Sequence, residues 1–187
     1  MKNKYSFLVV SFLCLNAYSQ SEKKDFFEAN IHLVGAGISY EKSFSEKFAL
    51  RSSLEYDGSL SFRKNFHTTG STITFVMQPT VKIQPRYYYN INKRMQSGKG
   101  IRFNAANFIS VDIAYKSSEL NISNKDYYML ETLAFGTAWN LRRNISNSNF
   151  IYEASAGIRY DYFFEEFYNK NNGITPELRA KIGYVFP

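Results

Sequence analysis

Apolar and polar residues alternate with a period of two through most of this chain, the signature of strands whose two faces meet different surroundings. Phe48, Leu50, Ser52, Leu54 and Tyr56 form one row, interleaved with Lys47, Ala49, Arg51, Ser53 and Glu55. From Ile73 to Tyr89 the odd positions are apolar; Thr72, Thr74, Gln78, Thr80, Lys82, Gln84 and Arg86 lie between, and only Val76 breaks the polar side. Ile109, Val111, Ile113 and Tyr115 alternate with Ser110, Asp112, Ala114 and Lys116. Phe150, Tyr152, Ala154, Ala156, Ile158, Tyr160 and Tyr162 alternate with Glu153, Ser155, Gly157, Arg159 and Asp161. The final stretch sets Leu178, Ala180, Ile182, Tyr184 and Phe186 against Arg179, Lys181, Gly183 and Val185. A weaker strand over 127–141 carries Leu133, Phe135, Trp139 and Leu141 on one side, with Glu131 out of place at its outer end. Over 27–42 the phase changes at Gly35-Ala36-Gly37, which reads as a glycine bulge, with a tight turn between two short strands as the alternative.

The connections alternate in character. Those near 43–46 and 142–148 are short and polar, and those near 58–71, 117–126 and 164–175 are longer. The exception is 91–104, a basic turn with room for one helical turn. Seven strands are clear; a closed barrel of a single bacterial chain needs an even number, so the eighth is expected within 21–45. Pro79 and Pro85 interrupt a ladder because each lacks an N–H, and 72–90 exceeds the 9–11 residues that span a bilayer.

A soluble sandwich also alternates, so the position of charge decides between the two architectures. In a membrane barrel the apolar face meets lipid and the polar face is enclosed. The polar faces here carry Arg51, Glu55, Lys82, Arg86, Asp112, Lys116, Glu153, Arg159, Asp161, Arg179 and Lys181, of both signs, which pair across a narrow lumen. The expected fold is all-β: a single antiparallel up-and-down transmembrane β-barrel of about eight strands, spanning residues 20–187. The alternative is a soluble periplasmic lipocalin-like binder with its charges in water.

Composition agrees with the first reading. Residues 1–19 combine Lys2 and Lys4, an apolar run from Phe7 to Leu15, and the small-x-small site Ala17-Tyr18-Ser19, which together read as a signal peptide cleaved after Ser19. Losing Lys2 and Lys4 takes the net charge from +7 to +5, compatible with an anionic membrane surface; an exported protein does not meet nucleic acid. The sole cysteine, Cys14, lies in that segment behind Leu13, where a lipoprotein signal needs a small residue, so the mature chain has neither disulfide nor thiolate chemistry. The mean hydropathy of −0.35 leaves no long apolar helix, so strands must carry any membrane crossing. Aromatics, 18 % of the chain, gather at strand ends: Tyr87, Tyr88, Tyr89; Tyr127, Tyr128; Tyr160, Tyr162, Phe163, Phe164; Tyr184, Phe186. Interfacial girdles have that composition.

Candidate chemistry is sparse. His67, near Ser59, Ser61 and Asp57, fits a Ser-His-acid site for a barrel lipid-modifying hydrolase, but a solvated loop histidine is the stronger reading. His32 shares a face with Asn30 and is expected to hydrogen-bond within the lumen. Glu165 and Glu166 read as solvated, and Arg63, Lys64 and His67 as a basic loop able to meet lipopolysaccharide phosphates. No motif calls for a metal or cofactor, and no enzymatic role is expected. Eight strands leave a lumen just filled by side chains, which excludes an open porin.

The chain closes on Lys181-Ile182-Gly183-Tyr184-Val185-Phe186, with Pro187 beyond the aromatic as a departure. This resembles the C-terminal strand signal of small outer-membrane β-barrel proteins of Gram-negative bacteria. Ile38 to Phe44 with Phe48-Ala49-Leu50-Arg51 resembles their first hairpin, and Gln84 to Arg94 a strand-to-turn element found there. The resemblance implies a cell outer membrane location, contact with outer-membrane lipid and lipopolysaccharide, and recognition of Gly183, Tyr184 and Phe186 by the barrel assembly machinery. It implies a monomer with a structural or binding role in the cell envelope.

Overall fold

A computed structural model describes residues 25–64, 71–124, 129–164 and 172–186, without the side chains of 59–64 and 71–73. The strands are β1 (Phe26–His32), β2 (Gly35–Ser43), β3 (Phe48–Lys64), β4 (Ser71–Tyr87), β5 (Asn107–Lys116), β6 (Ile122–Ser123), β7 (Thr132–Asn144), β8 (Phe150–Phe163) and β9 (Gly173–Phe186). Helix α1 (Ile91–Gln96) and a 3₁₀ turn (Arg102–Asn104) lie between β4 and β5. All pairings are antiparallel, and β1 pairs with both β2 and β9, so eight strands close into a barrel. The two-residue β6 extends the wall above β5 by pairing with Val76 and Met77 of β4.

The missing strand lies where the count required it. Leu33 and Val34 form a tight turn that splits the phase-changing stretch into β1 and β2, so the two-strand alternative holds and the bulge does not. Gly35 follows that turn at φ 142, and a side chain there would collide with the Tyr56 carbonyl oxygen at 1.9 Å. The β2–β3 connection, which resembles a first hairpin, is therefore the second. β7 runs on to Asn144, so Arg142 belongs to a strand and not to the following turn.

The two prolines fit the ladder. They are six residues apart, so both would direct an N–H to the same neighbour. The β4–β5 ladder is interrupted at Gln84-Pro85, and Pro79 lies just beyond its last pair, Thr80 with Lys116. Toward β3 the pairing is unbroken from Phe48–Tyr87 to Lys64–Ser71.

The barrel has a steep stagger. A row of opposed residues that starts at Phe27 passes through Tyr40, Ser52, Ile83, Ile113, Phe135 and Tyr160 to Ile174, yet Phe27 itself is opposed by Phe186. One circuit thus advances twelve residues along β9, from Phe186 to Ile174. With about 3.3 Å per residue and 4.8 Å per strand, the strands tilt by roughly 45° and the backbone cylinder is about 18 Å across.

Burial is inverted relative to a soluble protein. Ile31, Ile38, Leu54, Val81, Ile83, Ile109, Val111, Ile113, Trp139, Ile158, Leu178 and Ile182 face outward and are exposed, while Glu28, Glu41, Arg51, Arg86, Arg142 and Glu153 are buried inside. Among the described residues, buried apolar clusters occur at the end where β1 begins and β9 finishes. There Tyr88, Ile91, Ala106 and Phe108 pack with Ala49, and Phe26, Ile151 and Val185 pack with Phe103. The β4–β5 connection is thus a floor across one end of the barrel.

Closure between the first and last strands is directly testable. Ala29 opposes Tyr184 across β1 and β9. The double variant Ala29→Cys/Tyr184→Cys should form an intrachain disulfide on oxidation, seen as a gel shift reversed by reductant. Crosslinks solely between chains would contradict the closure.

Candidate functional site: the charged lumen

Strand alternation points every second side chain inward, and on each of the eight wall strands those positions include a charge. The deepest group sits above the floor. Arg51 from β3 grips Glu28 of β1 through two bonds of 2.7 and 3.1 Å. Arg86 of β4 donates to Glu41 of β2 at 3.0 Å and to Glu153 of β8 at 3.2 Å. Arg142 of β7 lies 3.0 Å from Glu41, and its Nε donates to Glu153 at 2.9 Å. Its Nη2 is 2.8 Å from the same Glu153 oxygen but out of line for a hydrogen bond, so that contact is electrostatic. Lys181 of β9 joins Glu28 at 3.2 Å and Glu153 at 3.4 Å.

The floor completes this group. Phe103 and Asn104 both adopt positive φ, 53° and 56°, which is uncommon for residues other than glycine. That geometry turns the Asn104 amide to donate to Glu41 at 2.6 Å, beside the Tyr88 hydroxyl, which donates to the same oxygen at 2.7 Å. Burial, with the neighbouring Glu41 carboxylate, pushes the Tyr88 hydroxyl above the ordinary phenol range, so it remains a donor. Phe108 underlies the guanidinium of Arg86 at 4.5 Å. Gly183 leaves room for Glu28, since a side chain there would meet Glu28 Oε1 at 2.6 Å.

Higher in the lumen, Lys82 pairs with Glu55 and Lys116 with Asp57, each at 3.0 Å. Near the other end Arg159 binds Asp161 at 2.9 Å and Glu177 at 2.6 Å, and Arg179 binds Asp112 at 3.3 Å and also Glu177. The ion pairs among the described residues join eight cations to eight carboxylates.

All eleven charged residues singled out in the alternating pattern lie on this inner side. Their partners Glu28, Glu41, Asp57, Arg142 and Glu177 were missed, as were Tyr88 and Asn104. Glu28 and Glu41 fall where the phase changes, Arg142 falls in a segment read as a connection, and Asp57 and Glu177 lie just outside the alternating runs that end at Tyr56 and begin at Leu178. The signal for Arg142 was present, since Ala138, Asn140 and Arg142 continue the alternation against Trp139 and Leu141. Tyr88 seals the floor and takes no part in a girdle. His32 lies inward, but its Nε2 has no hydrogen-bond partner among the described residues.

Asp57, named above beside His67, pairs with Lys116. His67, Glu165, Glu166, Tyr127, Tyr128 and residues 1–19 lie outside the described residues. Among the described residues no group of His, Cys, Asp and Glu is arranged to hold a metal ion. Compared with known proteins, the chain matches no protein-family model and no curated protein.

Removing one member of a buried pair strands the other. Arg142→Met should therefore lower unfolding stability in vesicles by about 3–5 kcal/mol. Urea titration checks this; a loss below about 1 kcal/mol would show that the network is not needed.

Proposed function

We propose that this chain is an outer-membrane β-barrel protein with a structural or binding role in the cell envelope, exported by a cleaved signal peptide. The observation that carries this reading is the inverted burial. Isolated apolar side chains on a water-facing surface are ordinary, but a continuous belt of them around a closed wall marks contact with another apolar phase. Lipid is that phase for a closed β-barrel.

The belt has the dimensions of a membrane. Phe27, Tyr40, Phe48, Tyr87, Phe150, Tyr152, Tyr184 and Phe186 ring the wall near the end that holds the termini. Several of these rings touch: Phe27 and Tyr40 at 4.8 Å, Phe48 and Tyr87 at 4.9 Å, Phe150 and Tyr184 at 5.1 Å. Tyr115, Phe135, Tyr160 and Tyr162 form a second, outward-facing group. With the tilt derived above, the two groups are about 20–25 Å apart along the axis, close to the apolar band of such barrels. Tyrosine-rich rings at both edges suit the two interfaces.

A soluble lipocalin-like binder places its apolar side chains inside to hold its ligand. The lumen here is filled by salt bridges, and its floor is closed, which also argues against an open pore. The reading gives the chain outer-membrane lipid and lipopolysaccharide as neighbours, with no nucleic acid. It acts as a monomer, and the barrel assembly machinery inserts it through Gly183, Tyr184 and Phe186.

Fractionation tests the reading. The protein should resist extraction of membranes with alkaline carbonate and should migrate faster on a gel unheated than boiled. Release into the carbonate supernatant would refute it. His67→Ala should leave the structure of lipid A unchanged; altered lipid A would favour the hydrolase instead.

A further inference from the structure

At the floor end, where β5 and β7 meet, the outer wall carries a cluster of positive charge with no counter-charge. Arg143 is an outward-facing position of β7, opposite Tyr152 of β8. Its guanidinium donates to the Arg142 carbonyl at 2.6 Å and to the Asn107 side-chain oxygen at 2.7 Å. Two of its five N–H groups are used in this way, and both acceptors are neutral. The Asn107 amide in turn donates to the Tyr89 hydroxyl at 3.3 Å, and the Trp139 indole donates to the same oxygen at 2.7 Å. The Tyr89 oxygen thus accepts twice, and its own hydrogen remains to be donated.

Arg94 of α1 is close enough to Arg143 for the two cations to repel each other. No carboxylate offsets them. The ion pairs among the described residues join groups of the lumen and include neither arginine. Neither 88–107 nor 143–152 contains an Asp or a Glu, while Lys93, Lys99 and Arg102 add positive charge to the floor segment. Glu46 meets the helix at Asn92 instead. Like charges held together raise the free energy of the corner, and an anion beside both would lower it.

The wall above the corner is apolar. Ile109 and Trp139 oppose each other across β5 and β7, and both are exposed. On the next strand Ala154 and Ala156 oppose Leu141 and Trp139, so a low strip runs up the wall between Tyr152 and Ile158. Under the outer-membrane reading, on which this inference rests, the end with the short turns faces the periplasm. The corner then lies at headgroup level, beside the aromatic ring that holds Tyr87 and Tyr152. We infer that an anionic glycerophospholipid of the periplasmic leaflet binds here, its phosphate held by Arg143, Arg94 and the Tyr89 hydroxyl, with an acyl chain on the strip beside Trp139. Guanidinium groups suit phosphate oxygens through charge-assisted bonds. A zwitterionic head brings no net charge to offset the two arginines, so the site prefers phosphatidylglycerol to phosphatidylethanolamine.

The test follows the fluorescence of Trp139, the sole tryptophan of the chain. The protein is placed in vesicles of equal phosphatidylglycerol and phosphatidylethanolamine, with brominated acyl chains on one lipid or the other. Brominated phosphatidylglycerol should quench the wild type more strongly, which reports its enrichment at the site. Arg143→Gln and Arg94→Gln should each weaken that association by about tenfold, so that the two lipids quench almost equally. Both variants should keep the heat-modifiable migration of the folded barrel. Lys99→Gln removes the same charge from the floor segment and should leave the enrichment unchanged. Equal quenching by the two lipids in the wild type overturns the inference, and so does wild-type enrichment in both arginine variants. A loss in Lys99→Gln equal to that in Arg143→Gln also overturns it, since that marks diffuse attraction to a basic surface. In these cases Trp139 is still quenched, so the membrane reading stands. If neither brominated lipid quenches it, the membrane reading fails as well.

Discussion

Every other feature of this barrel depends on neutralising charge inside a closed ladder. Burying an isolated guanidinium or carboxylate costs several kcal/mol even after relaxation, so the inner face is stable only if each ion meets an opposite one. Eight cations and eight carboxylates meet that condition across strands distant in sequence: Glu28 with Arg51, Arg86 with Glu41 and Glu153, Arg159 with Glu177. Because the lumen holds the charges, the outer face is free to be apolar. Because the ladder is closed, the wall exposes no full-length edge. The steep stagger contributes as well, since a tilted and wider cylinder accommodates long Arg and Glu side chains from opposite strands.

The two ends of the lumen differ for reasons visible in the chain. At the end with the termini, the β4–β5 connection folds inward. Tyr88 and Asn104 use it to reach Glu41, and Phe108 lies under Arg86. The deepest ions are thus tied to a floor as well as to one another. At the other end no such plug occurs among the described residues, and Arg159 and Arg179 are only partly covered. The shortened β1–β2 hairpin brings that less sealed region close to the outer wall. Rigidity at one end and access at the other are what a scaffold presenting a binding surface would have.

Much of this was legible from periodicity alone. A strand with one enclosed charged face and one apolar outer face writes both into the sequence, so Phe48–Tyr56, Ile109–Tyr115 and Leu178–Phe186 gave their phase correctly. The hairpin at Leu33-Val34 was hidden because its turn is apolar, and turns are recognised by their polar residues. Arg142 was hidden for the opposite reason. It begins a run of polar residues, Arg142-Arg143-Asn144, which reads as a loop, although it sits opposite Glu153 within the β7–β8 ladder. Tyr88 could not be separated from Tyr87 and Tyr89 by composition, since only the fold shows that the chain turns inward there. Pairings such as Lys116 with Asp57 depend on the register of distant strands, which no local pattern encodes.

The central claim is that the apolar face touches hydrocarbon and the charged face is enclosed. Methyl NMR of the protein in lipid nanodiscs, with paramagnetic labels on the acyl chains, measures that contact residue by residue. The account predicts strong broadening of Ile109, Val111, Ile113 and Ile158 methyls, while Ile151 and Val185 in the floor stay sharp. Broadening of the first group by a water-soluble paramagnetic agent, with no effect from the lipid labels, would contradict it.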